Sequence, residues 1–134
     1  MYILKGLYTI KKDGKYGFLS SKPDKIFVEP QFEDFKWFSF EKVELISIKK
    51  NGKWGCIDTI GNIAIEPQFD DIGETSEGLV QFKKDDKWGF INKTGEIVIE
   101  PQFEIANSFK EGFAIVKKNG KYGIIKHPIL FSNQ

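Results

Sequence analysis

The stretch LVQFKKDDKWGFINKTGEIVIEPQF, Leu79–Phe103, decides the fold. Leu79 to Lys84 alternates apolar and polar side chains, Asp85-Asp86 makes a turn, and Lys87 to Asn92 resumes the strand-forming run. Lys93-Thr94-Gly95 turns the chain again into Glu96 to Glu100, and Pro101-Gln102-Phe103 forms a corner that opens an acidic linker. Short runs rich in Val, Ile, Phe and Trp with a period near two, bounded by turn residues, are strands. The stretch predicts three antiparallel strands in a meander.

The same pattern occurs four times. Asp13-Gly14-Lys15-Tyr16-Gly17, Asn51-Gly52-Lys53-Trp54-Gly55, Asp85-Asp86-Lys87-Trp88-Gly89 and Asn119-Gly120-Lys121-Tyr122-Gly123 align, with the last glycines spaced 38, 34 and 34 residues apart. Glu29-Pro30-Gln31-Phe32, Glu66-Pro67-Gln68-Phe69 and Glu100-Pro101-Gln102-Phe103 give a second landmark. The longer first spacing comes from one extra residue around 20–24 and three more around 35–43. A period near 34 also suits helical tetratricopeptide repeats, but a central turn dipeptide, flanking strand formers and a late Pro reject helices.

Asn-Gly and Asp-Gly are strong hairpin signals, because a type I′ turn puts both central residues at positive φ. Asp85-Asp86 is the weak instance, since glycine and asparagine adopt that geometry most cheaply. Both strand faces are partly apolar: Tyr16 and Phe18, Trp54 and Cys56, Trp88 and Phe90, Tyr122 and Ile124 line one face of the second strand, and Leu19, Ile57, Ile91 and Ile125 the other. Such units stack, each covering its neighbour. The expected architecture is therefore all-β: tandem three-stranded antiparallel β-meander repeats of about 34 residues in an elongated or curved array. A closed propeller-like ring is the alternative. Residues 1–134 form one domain with units near 6–44, 45–78, 79–112 and 113–134, the last closed by Ile129-Leu130-Phe131. A recurring strand glycine marks a close approach, and the Phe of the next corner, Phe69 on Gly55 or Gly89, is the expected neighbour.

These residues resemble the WG-repeat family of bacterial proteins over residues 6 to 126. The shared pattern is turn, Lys, Trp or Tyr, Gly, a short strand, Gly, an Ile/Val strand, then Pro, Gln and an aromatic. The chain departs from it with Tyr at 16 and 122, with Glu44 where Gly6, Gly78 and Gly112 stand, and in lacking a Pro-Gln-Phe corner in the fourth copy. The resemblance implies tandem β-repeats and an interaction role; it supplies no substrate and no catalytic residue.

Composition narrows the function classes. The 134 residues are 40% hydrophobic and 29% charged with net charge +1, a globular balance with no overall field toward nucleic acid or membrane. All 20 basic residues are Lys. Arg is the fork that reads guanine and phosphate bidentately, so sequence-specific DNA reading is disfavoured. Cys56 is the single cysteine, which excludes an intramolecular disulfide. The start, Met1 to Gly6, lacks a signal-peptide pattern and no run reaches the ~20 apolar residues of a membrane helix. A cytoplasmic protein with no membrane association is expected.

Catalysis, cofactor and metal are not expected. His127 stands alone before Pro128, and Cys56 takes a position filled elsewhere by Phe18, Phe90 and Ile124, a small core hydrophobe. The linker acids Glu33-Asp34 and Asp70-Asp71 give way to Glu104-Ile105, too few oxygens for calcium, and read as solvated loops.

Two features point to partners. Hairpin tips carry Lys12 and Lys15, Lys50 and Lys53, Lys84 and Lys87, Lys118 and Lys121, a basic ridge if the units stack in register, with the linker acids on the opposite edge. That ridge either meets phosphates of a nucleic acid or nucleoprotein complex, or keeps hairpin edges solvated. The first linker concentrates Phe35, Trp37, Phe38 and Phe40. They form either a cap on the first unit or an exposed patch that binds another protein. The expected function is a non-enzymatic protein–protein interaction or scaffold module. An inhibitor or immunity-type protein acting on a nucleic-acid-handling enzyme is the first alternative. Carbohydrate or cell-wall binding through exposed Trp54 and Trp88 is the second. Oligomeric state is left open.

Overall fold

The computed structural model describes residues 2–4, 7–20, 27–36 and 44–130. Four tight hairpins organise it. They join β2 (Leu7–Lys12) to β3 (Lys15–Ser20), β6 (Leu45–Lys50) to β7 (Lys53–Asp58), β10 (Leu79–Lys84) to β11 (Lys87–Asn92) and β14 (Phe113–Lys118) to β15 (Lys121–Lys126). Each two-residue loop has both residues at positive φ: Asp13 and Gly14, Asn51 and Gly52, Asp85 and Asp86, Asn119 and Gly120. That is the backbone required by the right-handed twist of the flanking strands. Asp85 and Asp86 meet it at φ 50° and 68° without a glycine.

The third strands are β4 (Phe27–Phe32), β8 (Ile63–Phe69) and β12 (Ile97–Phe103). Pro-Gln-Phe is thus the last part of a strand. Proline is tolerated because these are edge strands, where no partner needs its missing N–H. The pairing slips there. Phe90 faces Ile99 and Trp88 faces Phe103, so two steps along β11 match four along β12. Phe18–Val28 and Tyr16–Phe32 show the same slip. The surplus forms a bulge at Glu-Pro that swings backbone against the recurring glycine. A Cβ on Gly17, Gly55 or Gly89 would stand 2.7, 2.6 or 2.8 Å from the nitrogen of Pro30, Pro67 or Pro101. The glycines therefore make room for kinked backbone. What stands nearest to them is this backbone, while the corner rings of Phe32, Phe69 and Phe103 are buried.

The acidic linkers are strands as well: β5 (Asp34–Lys36), β9 (Asp71–Ser76) and β13 (Ile105–Ala106). Glu77-Gly78 and Glu111-Gly112, all at positive φ, make the tight turns that lead into β10 and β14. Each three-stranded meander thereby gains an edge strand. The sheets run β1-β2-β3-β4, β5-β6-β7-β8, β9-β10-β11-β12 and β13-β14-β15, with β1 spanning Tyr2–Leu4. Among the described residues the fourth sheet alone has three strands. Ile129-Leu130 does not supply its missing one. Pro128, Ile129 and Leu130 form a turn, and Phe131 lies outside the described residues. Lys126-His127-Pro128 lacks the Asp or Asn that turns the chain back in the preceding units, where Asp58 Oδ1 accepts from the N–H of Ile60 and Asn62, and Asn92 Oδ1 from Thr94 and Glu96.

The chain divides into two compact units, residues 1–68 and 69–134. In the first, Phe18 and Phe32 pack with Ile46, Ile48 and Ile57, flanked by Val28 and Phe35. In the second, Leu79 and Phe90 pack with Ala114 and Val116 around Phe103 and Phe109. Each such side chain contributes about 1.5–3 kcal/mol on full burial. The rule is the same in both units. The face of one sheet that carries the aromatic of the Trp/Tyr-Gly pair is covered by the opposite face of the next.

Candidate functional site

Every linker is fastened to the hairpin that follows it. The N–H of Gly52 donates to Glu33 Oε1 at 2.9 Å, and that of Gly120 to Glu104 Oε1 at 2.8 Å. In the third unit the N–H of Asp85 donates to Asp70 Oδ2 at 3.0 Å, the shorter side chain reaching one residue earlier in its turn. The neighbouring Gln completes the latch twice: Lys50 Nζ donates to Gln31 Oε1 at 2.9 Å and Lys118 Nζ to Gln102 Oε1 at 3.0 Å. Of the linker acids expected on a far edge, Glu33, Asp70 and Glu104 are turn acceptors at the hairpin tips, where they remain solvent-accessible.

This changes the lysine ridge. Lys12, Lys15, Lys53, Lys84, Lys87, Lys118 and Lys121 are exposed at hairpin tips and Lys50 is half-buried. Three of the four tips receive a linker carboxylate and the first has Asp13 in its own turn, so the row is of mixed sign. The adjacent lysines Lys11, Lys83 and Lys117 lie over the rings of their cross-strand partners Tyr16, Trp88 and Tyr122, with Nζ 5.1, 5.9 and 5.4 Å from the ring centroids.

Of the first-linker aromatics, Trp37, Phe38 and Phe40 lie outside the described residues. Phe35 is half-buried and meets Tyr16 and Phe18 edge-on at 4.9 and 5.5 Å. The linker strand β5 packs it against the first sheet. Trp54 is buried and Trp88 half-buried beneath Lys83, so Trp54 offers no ring face to a sugar.

Cys56 and His127 are both buried. Cys56 is buried beside Ser47, and burial pushes its thiol up to about 12, the Ser47 contact opposing only weakly. His127 is buried, its Nε2 2.7 Å from the Glu77 carbonyl oxygen and its Nδ1 accepting from the N–H of Ile129 and Leu130. Among the described residues no three His, Cys, Asp or Glu side chains cluster as metal ligands.

What stands out is the uncovered face of the fourth sheet. Ile124 is 71% exposed, whereas its counterparts Phe18, Cys56 and Phe90 are 2%, 1% and 1% exposed. Phe113, Ile115 and Tyr122 share that face and are exposed too. Cross-strand pairing sets Ile115 opposite Ile124 and Lys117 opposite Tyr122. A groove of about 780 Å³ opens here, lined by Phe113, Ile115 and Ile124 and by Glu74, Gln81 and Ser108. Two of its polar side chains are held within the unit: Ser108 Oγ donates to Glu74, and Gln81 Nε2 to the Ala106 carbonyl. Asn107, Lys110 and Glu111 also line it, so the apolar surface has a polar border. Sequence reasoning missed these residues. The available signal was the alternation that places Tyr122 and Ile124 on one face of β15.

No curated protein and no solved structure matches the chain. The model of the WG containing repeat matches three times in tandem, at residues 24–54, 54–88 and 88–122.

Proposed function

Because the chain belongs to the WG containing repeat family, we propose that it is a non-enzymatic interaction module, acting in the cytoplasm, that binds another protein through the bare face of its fourth sheet. The exposure of Ile124, at a position buried in every other repeat, carries this reading. A contiguous apolar surface bordered by polar groups is the usual form of a protein-binding patch. Aromatic and aliphatic anchors at its centre supply most of the binding energy. The mixed sign of the hairpin row weighs against a phosphate-binding role, since neutralising phosphates requires uninterrupted positive charge.

The test is site-specific. A photo-crosslinking residue at position 124 in source cells is expected to capture one defined protein, and the same residue at position 86 is not. The double variant Ile115→Lys/Ile124→Lys is expected to abolish capture while changing stability by less than about 0.5 kcal/mol, because both side chains are already in water. Retention of the partner by the double variant, or equal capture at the two positions, defeats the reading.

A further inference from the structure

Two of the four hairpins turn on Asn-Gly: Asn51-Gly52 in the first compact unit and Asn119-Gly120 in the second, all four residues exposed. Asn-Gly is the dipeptide most open to attack by its own chain, because no side chain shields the glycine nitrogen. That nitrogen bonds to Cγ of the asparagine, the Cγ–Nδ2 bond breaks, and the N–H proton leaves with Nδ2 as ammonia. Water then opens the resulting cyclic imide at either carbonyl. One product is aspartate; the other is isoaspartate, in which the backbone runs through the former side chain. In both hairpins the attacking nitrogen is the one a linker acid holds, the N–H of Gly52 on Glu33 Oε1 and that of Gly120 on Glu104 Oε1. A carboxylate is far too weak a base to take the proton of a backbone amide, so the contact holds the nitrogen and does not activate it. Ring closure must also turn the Asn-Gly peptide plane. The turn fixes that plane, with Asn51 and Asn119 at φ 53° and 52° and with Lys50 paired to Lys53 and Lys118 to Lys121.

We propose that Asn51 and Asn119 are sites of self-modification, converted to aspartyl and isoaspartyl residues when their hairpins open locally and shielded while Glu33 and Glu104 hold the glycines that follow them. Hairpin tips of this kind open well below the cost of global unfolding. The other two turns, Asp13-Gly14 and Asp85-Asp86, have no side-chain amide to lose. They also show what one product does. Asp13 and Asp85 take the same turn position at φ 52° and 50°, so an aspartate at 51 or 119 fits the backbone and adds a negative charge beside the latch. An isoaspartate does not fit. It lengthens the backbone of a two-residue loop by one methylene, and the loop sets the register of its strands. At position 119 this disturbs the pairing that places Ile115 opposite Ile124 and Lys117 opposite Tyr122. The latch is then a guard against irreversible change as well as a fastening.

The experiment incubates the full chain at mildly alkaline pH and follows each site by peptide mapping that separates asparaginyl, aspartyl and isoaspartyl forms. In denaturant both sites should convert at one common rate, and in the folded chain each should convert at least tenfold more slowly. Glu33→Ala should speed conversion at Asn51 about three- to tenfold, the weight of one exposed hydrogen bond, and leave Asn119 unchanged. Glu104→Ala should do the reverse. Unchanged amide exchange in the strands of the same unit checks that each variant folds. Glu33→Gln, which keeps an acceptor, should retain most of the protection, and a Gln variant as fast as the Ala variant overturns the role of the hydrogen bond. Equal rates in folded and unfolded chains, or an unchanged rate at Asn51 in Glu33→Ala, overturn the proposal. So does acceleration accompanied by faster exchange throughout the unit, which would make the whole fold and not the latch the guard.

Discussion

The ring of His127 closes on the Glu77 carbonyl oxygen, with Nε2 at 2.7 Å, across fifty residues of sequence. Because Nδ1 accepts two backbone N–H groups, the proton sits on Nε2 and is donated to Glu77. The ring also meets Phe109 edge-on at 5.0 Å. His127→Ala leaves a buried carbonyl and two N–H groups without partners and opens a cavity, a loss of about 2–4 kcal/mol. Denaturant unfolding of the two proteins measures it. A change below about 0.5 kcal/mol would show that the tail is not anchored by this ring.

Asp86→Gly is expected to stabilise the chain. Asp86 sits at φ 68°, where the other three hairpins have glycine. Left-handed backbone costs an L-residue about 1–2 kcal/mol. Glycine gives back part of that through the entropy of the unfolded chain. The exposed contact between Lys83 and Asp86, 3.5 Å long, is screened and offsets little. A net gain of about 0.5–1 kcal/mol follows, read as a rise in Tm. A lower Tm would mean that the Asp86 side chain holds the turn.

The two Trp/Tyr-Gly glycines of the second unit, Gly89 and Gly123, should respond in opposite directions. Gly89→Ala drives a methyl into the backbone at Glu100-Pro101 and should cost about 3 kcal/mol. Gly123→Ala adds a methyl to an open strand and should stabilise by about 0.5–1 kcal/mol, the usual penalty of a strand glycine. Parallel melts of the two variants decide it. Similar losses at both sites would place an unseen neighbour against Gly123.

Cys56 provides the pH prediction. Burial holds its thiol at about 12 in the folded chain, against about 8.5 when unfolded. The folded form keeps the proton more tightly, so this contribution to stability is complete below the unfolded value. It is lost as pH rises from there toward 12. Cys56→Ala should therefore flatten the alkaline decline relative to the parent chain. Iodoacetamide at pH 8 should label Cys56 only after denaturation, and fast labelling of the folded protein would contradict its burial.

Hairpins and repeats were legible because Asn-Gly and Asp-Gly report a local backbone geometry that needs no knowledge of the surroundings. The strand identity of Asp71–Ser76 was not. Its sequence, Asp-Ile-Gly-Glu-Thr-Ser, is polar, and its pairing with β10 is imposed by the Glu77-Gly78 turn. The packing of Phe35 was hidden for the same reason, since a linker that forms a strand delivers its aromatic to the neighbouring sheet. The reason for Gly17, Gly55 and Gly89 depends on a two-residue slip in pairing, which no single strand announces. Alternation showed that Tyr122 and Ile124 share a face, but whether that face is covered depends on what stacks behind it.

The acid-to-turn latches span only 19, 15 and 16 residues of sequence. Contacts this local let a chain fold quickly and in stages. A hairpin leaving the ribosome already has its turn acceptor waiting in the segment made just before it, so each unit can set on its predecessor during synthesis. Truncated nascent chains should thus acquire protease resistance in steps about one repeat long, and a one-residue deletion between a Phe and the next turn should stall assembly at that step and spare the units already made.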